Sequence, residues 1–184
     1  MHYGAIKRFD IANGEGVRVT LFVSGCRNRC PHCFQKETWD FNYGEPFTDE
    51  TAEQLLAYLA HPSVRGLTLL GGEPMEPENQ EAILPLLREL KTRYPEKTVW
   101  LYTGNLYEEL TGAHPGHPKH LPITAELLSH VDILVDGRFD ESLHRLGLRF
   151  RGSENQRIID MNETRNRGEI VIWSGCAEDK RYGE

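Results

Sequence analysis

The segment Val17–Val23 (VRVTLFV) is β-branched and apolar between the glycines of NGEG and Ser24-Gly25, a pattern that predicts a buried strand. Ala52, Leu55, Leu56 and Leu59 then share one helical face; Thr48 followed by Asp49 and Glu50 marks the start and His61-Pro62 the stop. Gly66–Leu70 predicts a second strand that runs into Gly71-Gly72-Glu73-Pro74. A second helix over Glu78–Tyr94 turns Ile83, Leu84, Leu87 and Leu90 inward, with Pro85 bending its early turns. Thr98–Tyr102 (TVWLY) predicts a third strand, left by Thr103-Gly104-Asn105. A short amphipathic piece, Leu106–Leu110, leads into a Pro- and His-rich loop from Gly112 to Pro122. Thr124 caps a brief helix, and Val131–Val135 is a fourth strand ending in Asp136-Gly137-Arg138. Two further extended segments, Arg157–Met161 and Glu169–Trp173, finish the pattern, the second leading to Cys176.

Strands alternating with helices imply an α/β fold with parallel pairing and right-handed crossovers. In such a sheet the loops leaving the C-terminal strand ends gather at one edge. The cysteine-bearing loop after Val23, GGEP, TGN and DGR would therefore meet there, as one site.

The chain has 184 residues, enough for one domain over 1–184 and too few for two ordinary ones. With 39% hydrophobic and 27% charged residues it is expected to fold, and its apolar runs are too short to cross a bilayer. MHYGAIKRFD lacks the apolar stretch of a signal peptide, so a cytoplasmic protein without a membrane partner is expected. The net charge of −7 is concentrated in residues 48–136, where 14 acidic side chains face 6 basic ones. No part of the chain has the basic surplus of a nucleic-acid binder. Lys is absent from 138–167, where Arg138, Arg145, Arg149, Arg151, Arg157, Arg165 and Arg167 stand. Arg suits planar, bidentate recognition of a carboxylate or phosphate, although most such residues simply solvate a surface.

Three of the four cysteines, Cys26, Cys30 and Cys33, crowd into a CxxxCxxC run, and the fourth, Cys176, is distant. Without an export signal such a cluster suggests metal or redox chemistry rather than disulfides. Three thiolates can hold three irons of a cubane cluster and leave the fourth iron open to another molecule. The competing reading is structural zinc, which needs four ligands in two pairs; only Cys176 or His32 could complete such a set. His114, His117 and His120 recur every third residue, but their Pro- and Gly-rich surroundings set no fixed ligand geometry.

CxxxCxxC directly after a first strand, with a second strand ending in GGEP, resembles the radical S-adenosylmethionine superfamily. VTLFVSGC, CFQKETW, LTLLGGEP, LYTGN, VDILVDGRF and RGSENQRIID, in that order, further resemble the glycyl-radical activases that act on anaerobic ribonucleoside-triphosphate reductase. The resemblance implies a partial (β/α) barrel of the radical SAM type, open on one side, because a full eight-stranded barrel takes about 250 residues. It implies a 4Fe-4S cluster on Cys26, Cys30 and Cys33, with S-adenosylmethionine chelating the unique iron. Gly71, Gly72 and Glu73 would meet the methionine amino group through backbone carbonyls. Asp136 and Arg138 form a D-x-R pattern in which the basic residue reaches the S-adenosylmethionine carboxylate. His32 occupies a position where many superfamily members carry an aromatic residue near the adenine; this subfamily often has glycine there, and asparagine where Gln35 stands. Asn155 and Gln156 would serve the adenosine, the partner's backbone or a turn.

The implied activity is reductive cleavage of S-adenosylmethionine to a 5′-deoxyadenosyl radical that takes a hydrogen from a glycine of the reductase. A flavodoxin-like protein is the expected electron source. Two alternatives stay open: a small radical enzyme of the superfamily acting on a free small molecule, such as a deazapurine synthase, and a non-enzymatic metal-binding module.

Overall fold

A computed structural model of the chain describes residues 1–175; Cys176 lies outside the described residues. The strands are β1 (His2–Asp10), β2 (Val17–Val23), β3 (Glu45–Pro46), β4 (Val64–Gly71), β5 (Thr98–Tyr102), β6 (Ile133–Asp136) and β7 (Arg157–Asp160). The helices are α1 (Asp49–Leu59), α2 (Pro77–Arg93), α3 (Tyr107–Leu110), α4 (Thr124–Ser129) and α5 (Met161–Arg167). The fold is α/β, built on an open seven-stranded mixed sheet in the order β3-β1-β2-β4-β5-β6-β7.

The expected parallel set is present: β2 pairs with β4, β4 with β5 and β5 with β6, all parallel. The antiparallel additions were not anticipated. β1 precedes β2 and pairs antiparallel with it; its residues are mostly half-buried or exposed, so it lacks the apolar run that made β2 legible. β7 pairs antiparallel with β6, bringing Arg157 opposite Asp136. Glu169–Trp173 is not a strand; only an isolated bridge joins Ile172 to Ile159.

One face of the sheet carries Val19, Leu21, Val23, Leu67, Leu69, Val99, Leu101 and Leu134, packed against Leu55, Leu56 and Leu59 of α1, Ile83, Leu84, Leu87 and Leu90 of α2, and Leu127 and Leu128 of α4. Thr48 caps α1 as expected, its hydroxyl accepting from Thr51 N. Pro85 lies inside α2 on its exposed side. Thr124 does not cap α4 but begins it, after Ile123; its hydroxyl instead donates to Gln80 Oε1 at 2.7 Å.

The opposite face alternates to different chemistry, as the period of two demands. There Trp100, Ile133, Val135 and Ile158 pack with Phe150 and Trp173. Arg18, only 1% exposed, lies beside them, and its guanidinium donates to Thr68 Oγ1, Thr98 Oγ1 and the carbonyls of Leu67 and Thr98. Burial pulls its pKa down to about 10. Among the described residues no helix is long and apolar enough to cross a membrane.

Candidate active site

The loops leaving β2, β4, β5 and β6 do meet at one end of the sheet. A cavity of about 160 Å³ is lined by Cys26, Cys30 and Cys33 together with Gly71-Gly72-Glu73, Thr103-Gly104 and Gly137. Parallel pairing is the cause: it puts the C-terminal ends of successive strands side by side.

The cysteine loop is a run of turns whose backbone is held by Cys33 N donating to Cys30 O at 3.2 Å and Gly25 N donating to Thr38 O at 2.8 Å. All three thiols are free and half-buried. Burial, reinforced by the Glu73 carboxylate, pushes the Cys26 thiol up to about 11. Burial and neighbouring Cys33 also raise Cys30, against an opposing pull from Arg138. Iron binding would therefore compete with protons and release them.

Gly71 and Gly72 are required by the backbone itself. Gly71 has φ +108°, and a Cβ there would meet Val23 O at 2.8 Å; one on Gly72 would meet Gly25 O at 2.7 Å. Gly72 N donates to Val23 O and Glu73 N to Gly25 O, so the second loop presses directly on the root of the cysteine loop. The carbonyl of Glu73, expected to meet the methionine amino group, is engaged within its own loop. It already accepts from Glu76 N and Asn79 Nδ2, because the chain turns there into α2. Its side chain, 1% exposed, accepts instead from Thr103 Oγ1, Gly104 N, Asn105 Nδ2, Asn28 Nδ2 and Met75 N. Glu73 thus fastens three of the four loops to one carboxylate.

Asp136 is fully buried and does not pair with Arg138. It is held by Arg157 through Nε at 2.9 Å and through a second, closer contact from Nη2, and it accepts from Tyr107 N at 2.8 Å. Arg138 is exposed, and its guanidinium makes no ion pair among the described residues. Its side chain lies beside Gly104 and close enough to Cys30 to act on it electrostatically. Asn155 Nδ2 donates to Arg138 O and Gln156 Nε2 to Gly137 O, so these two amides hold the DGR loop. His32, at φ 59°, faces Glu141 at 3.1 Å and lies outside the wall of the cysteine-lined cavity. Phe34 and Gln35 line the cavity in its place.

Among the described residues, no three Cys, His, Asp or Glu side chains converge on one point that a single ion would fill. The cysteines instead surround a cavity, an arrangement suited to ligands that each hold a different iron of one cluster. Two residues of the same wall, Trp39 and Tyr102, carry a buried Nε1–H and O–H with no partner among the described residues. Such donors suit a polar molecule with acceptor atoms rather than an apolar one.

Asn28 and Lys119 were not anticipated. Asn28 lies inside the cysteine motif, where attention falls on sulfur. Lys119 had one faint signal: it is the sole Lys or Arg between Thr98 and Asp136.

Comparison with known proteins agrees with this arrangement. Residues 12–159 match the family described as a 4Fe-4S single cluster domain. An anaerobic ribonucleoside-triphosphate reductase-activating protein of Enterobacteria phage T4 is 39% identical over 158 residues, covering 86% of this chain and 93% of the relative. Proteins of the same name from Vibrio cholerae (39% over 160 residues, 86% and 97% covered) and Escherichia coli K12 (37% over 158 residues, 85% and 96% covered) are similar to it as well.

Proposed function

The chain belongs to the family of anaerobic ribonucleoside-triphosphate reductase-activating proteins, and from that premise we propose that it installs a glycyl radical in such a reductase. Cys26, Cys30 and Cys33 would hold a 4Fe-4S cluster, within a single radical SAM domain of partial-barrel type. The backbone of Gly71 and Gly72 would receive the methionine amino group of S-adenosylmethionine, and Arg138 its carboxylate. When bound, cluster and S-adenosylmethionine together supply a one-electron cleavage that yields methionine and a 5′-deoxyadenosyl radical able to take hydrogen from a glycine Cα.

The chain's own residues bind, orient and shield. Arg138 makes no ion pair among the described residues, and it stands on the loop whose Gly137 lines the cavity, where an anionic group needs a cation. Asp136, Arg157, Asn155 and Gln156 keep the loop that carries Arg138 in place. No side-chain acid or base is required. The electron would come from a flavodoxin-like donor.

The observation that carries this reading is the convergence of the cysteine, GGEP, TGN and DGR loops on one cavity. The test is anaerobic reconstitution with iron and sulfide, reduction with S-adenosylmethionine, and addition of an anaerobic ribonucleoside-triphosphate reductase. Release of 5′-deoxyadenosine and the electron paramagnetic resonance doublet of a glycyl radical are expected. Deoxyadenosine formed only with a small metabolite, or a colourless protein holding one zinc, would overturn the proposal.

A further inference from the structure

We infer that Lys119, delivered by the Pro- and His-rich loop, is a positioning residue that locks the cysteine loop and sets the charge beside the cluster. The part concerning the cluster rests on the function proposed above.

The Lys119 side chain is 5% exposed, yet the three side chains its ammonium meets lie 43 to 91 residues away in sequence. Its Nζ donates to Asn28 Oδ1 at 2.7 Å, pairs with Glu76 Oε1 at 3.1 Å and lies 4.0 Å from Glu73 Oε2. Asn28 stands between Cys26 and Cys30, and its amide nitrogen donates to Glu73 at 2.7 Å. Glu76, 1% exposed, accepts Arg27 N at 2.7 Å and the Arg27 guanidinium at 2.7 Å, and the same guanidinium stacks on Phe41 at 4.2 Å. One ammonium therefore reaches the cysteine loop through two consecutive residues, Arg27 and Asn28, while facing both buried carboxylates of the neighbouring loop.

The lysine is itself held in place. Gln80, fully buried, donates to Lys119 O at 2.8 Å and to Met75 O at 2.8 Å, and its oxygen accepts from Thr124 Oγ1 at 2.7 Å. His120 Nδ1 lies 2.8 Å from Leu110 O, and His117 Nδ1 accepts from Lys119 N. The histidines thus shape the loop, and its useful product is a lysine. A buried polar network of this kind is rigid only while every member is satisfied.

Two effects follow from removing the ammonium. Asn28 Oδ1 loses its donor and the cysteine loop loses a tether. Glu73 and Glu76 also lose their buried counter-charge, which disfavours adding an electron nearby and lowers the potential of a cluster held there.

The test compares wild type with Lys119→Met, Lys119→Arg and Asn28→Ala. In the iron-free protein, Lys119→Met and Asn28→Ala should each raise alkylation of Cys26, Cys30 and Cys33 by iodoacetamide several-fold. After reconstitution, redox titration followed by electron paramagnetic resonance should show Lys119→Met shifted to lower potential. A tenfold loss of electron affinity would read as about 59 mV. Lys119→Arg should restore most of that shift, and Asn28→Ala should leave the potential near wild type because the charge remains. Unchanged alkylation in Asn28→Ala overturns the tether, whether or not Lys119→Met folds. A potential equal to wild type in Lys119→Met, or, where that variant does not fold, an Asn28→Ala potential lower than wild type by about 59 mV or more, overturns the charge assignment. If the wild type takes up no 4Fe-4S cluster, the proposed function fails while the alkylation test of the tether stands.

Discussion

Arg157, opposite Asp136 in the β6–β7 register, closes its guanidinium on that fully buried carboxylate. Its other side grips Glu108 of α3, with Nη1 and Nη2 at 2.9 and 2.6 Å from the two carboxylate oxygens. One side chain thus joins β6, β7 and the helix after TGN, and it answers Asp136 from within the sheet. Arg138, two residues beyond, is exposed and lies beside Gly104 without an ion pair among the described residues.

Arg157→Gln should cost about 2 to 3 kcal/mol, because it strands a buried carboxylate and frees Glu108. Among the described residues Asp136 then keeps only its bond from Tyr107 N. Urea denaturation at neutral pH measures the loss; a midpoint equal to wild type would show that the pair contributes nothing net.

The same fork sets a pH dependence. Hydrogen bonds from Arg157 hold the Glu108 carboxyl below its ordinary 4.5 in the folded state. The unfolded chain therefore binds its proton first as pH falls, and the stabilisation is present above about 4.5 and lost as pH drops through the lower folded value. The stability gap between wild type and Arg157→Gln should shrink between pH 5 and roughly 3. A gap constant over that range would contradict it.

Gly72→Ala places a methyl 2.7 Å from Gly25 O and 3.0 Å from Thr38 O, both backbone atoms with little room to yield. We expect roughly 1 to 3 kcal/mol of destabilisation, with weakened cluster retention because the root of the cysteine loop must shift. Thermal unfolding and iron content after gel filtration read the two effects separately.

Cys26→Ala, Cys30→Ala and Cys33→Ala should each abolish deoxyadenosine formation and strongly reduce iron retention, whereas Cys176→Ala should leave both largely intact. Loss of the cluster in the Cys176 variant would revise the ligand set.

Arg138→Ala should keep the cluster and weaken S-adenosylmethionine binding about tenfold or more, the scale of one charge-assisted hydrogen bond. Equilibrium binding to the reconstituted protein checks this. Stability should barely move, because the guanidinium has no ion pair among the described residues.

The alternation of apolar segments and turn residues was enough to predict β2, β4, β5 and β6, the helices between them and the edge where their loops meet. Burial of a strand on both faces demands a continuous apolar run, and that run is visible in one dimension. The cysteine spacing likewise announces its chemistry, since sulfur ligands on one short loop need no help from the rest of the chain. β1 was not legible, because an edge-side strand with half-exposed residues lacks that run, and Glu169–Trp173 had strand-like composition without a ladder to join. Partners distant in sequence were also out of reach. Whether Asp136 binds Arg138 or Arg157 depends on an antiparallel register, and whether Lys119 solvates a loop or holds the cysteine motif depends on where α2 and its Gln80 carry that loop. Local pattern determined which segments are strands, helices and ligand loops. Tertiary structure decided which charges neutralise one another, because buried charges are paired by distance in space, and sequence separation does not set that distance.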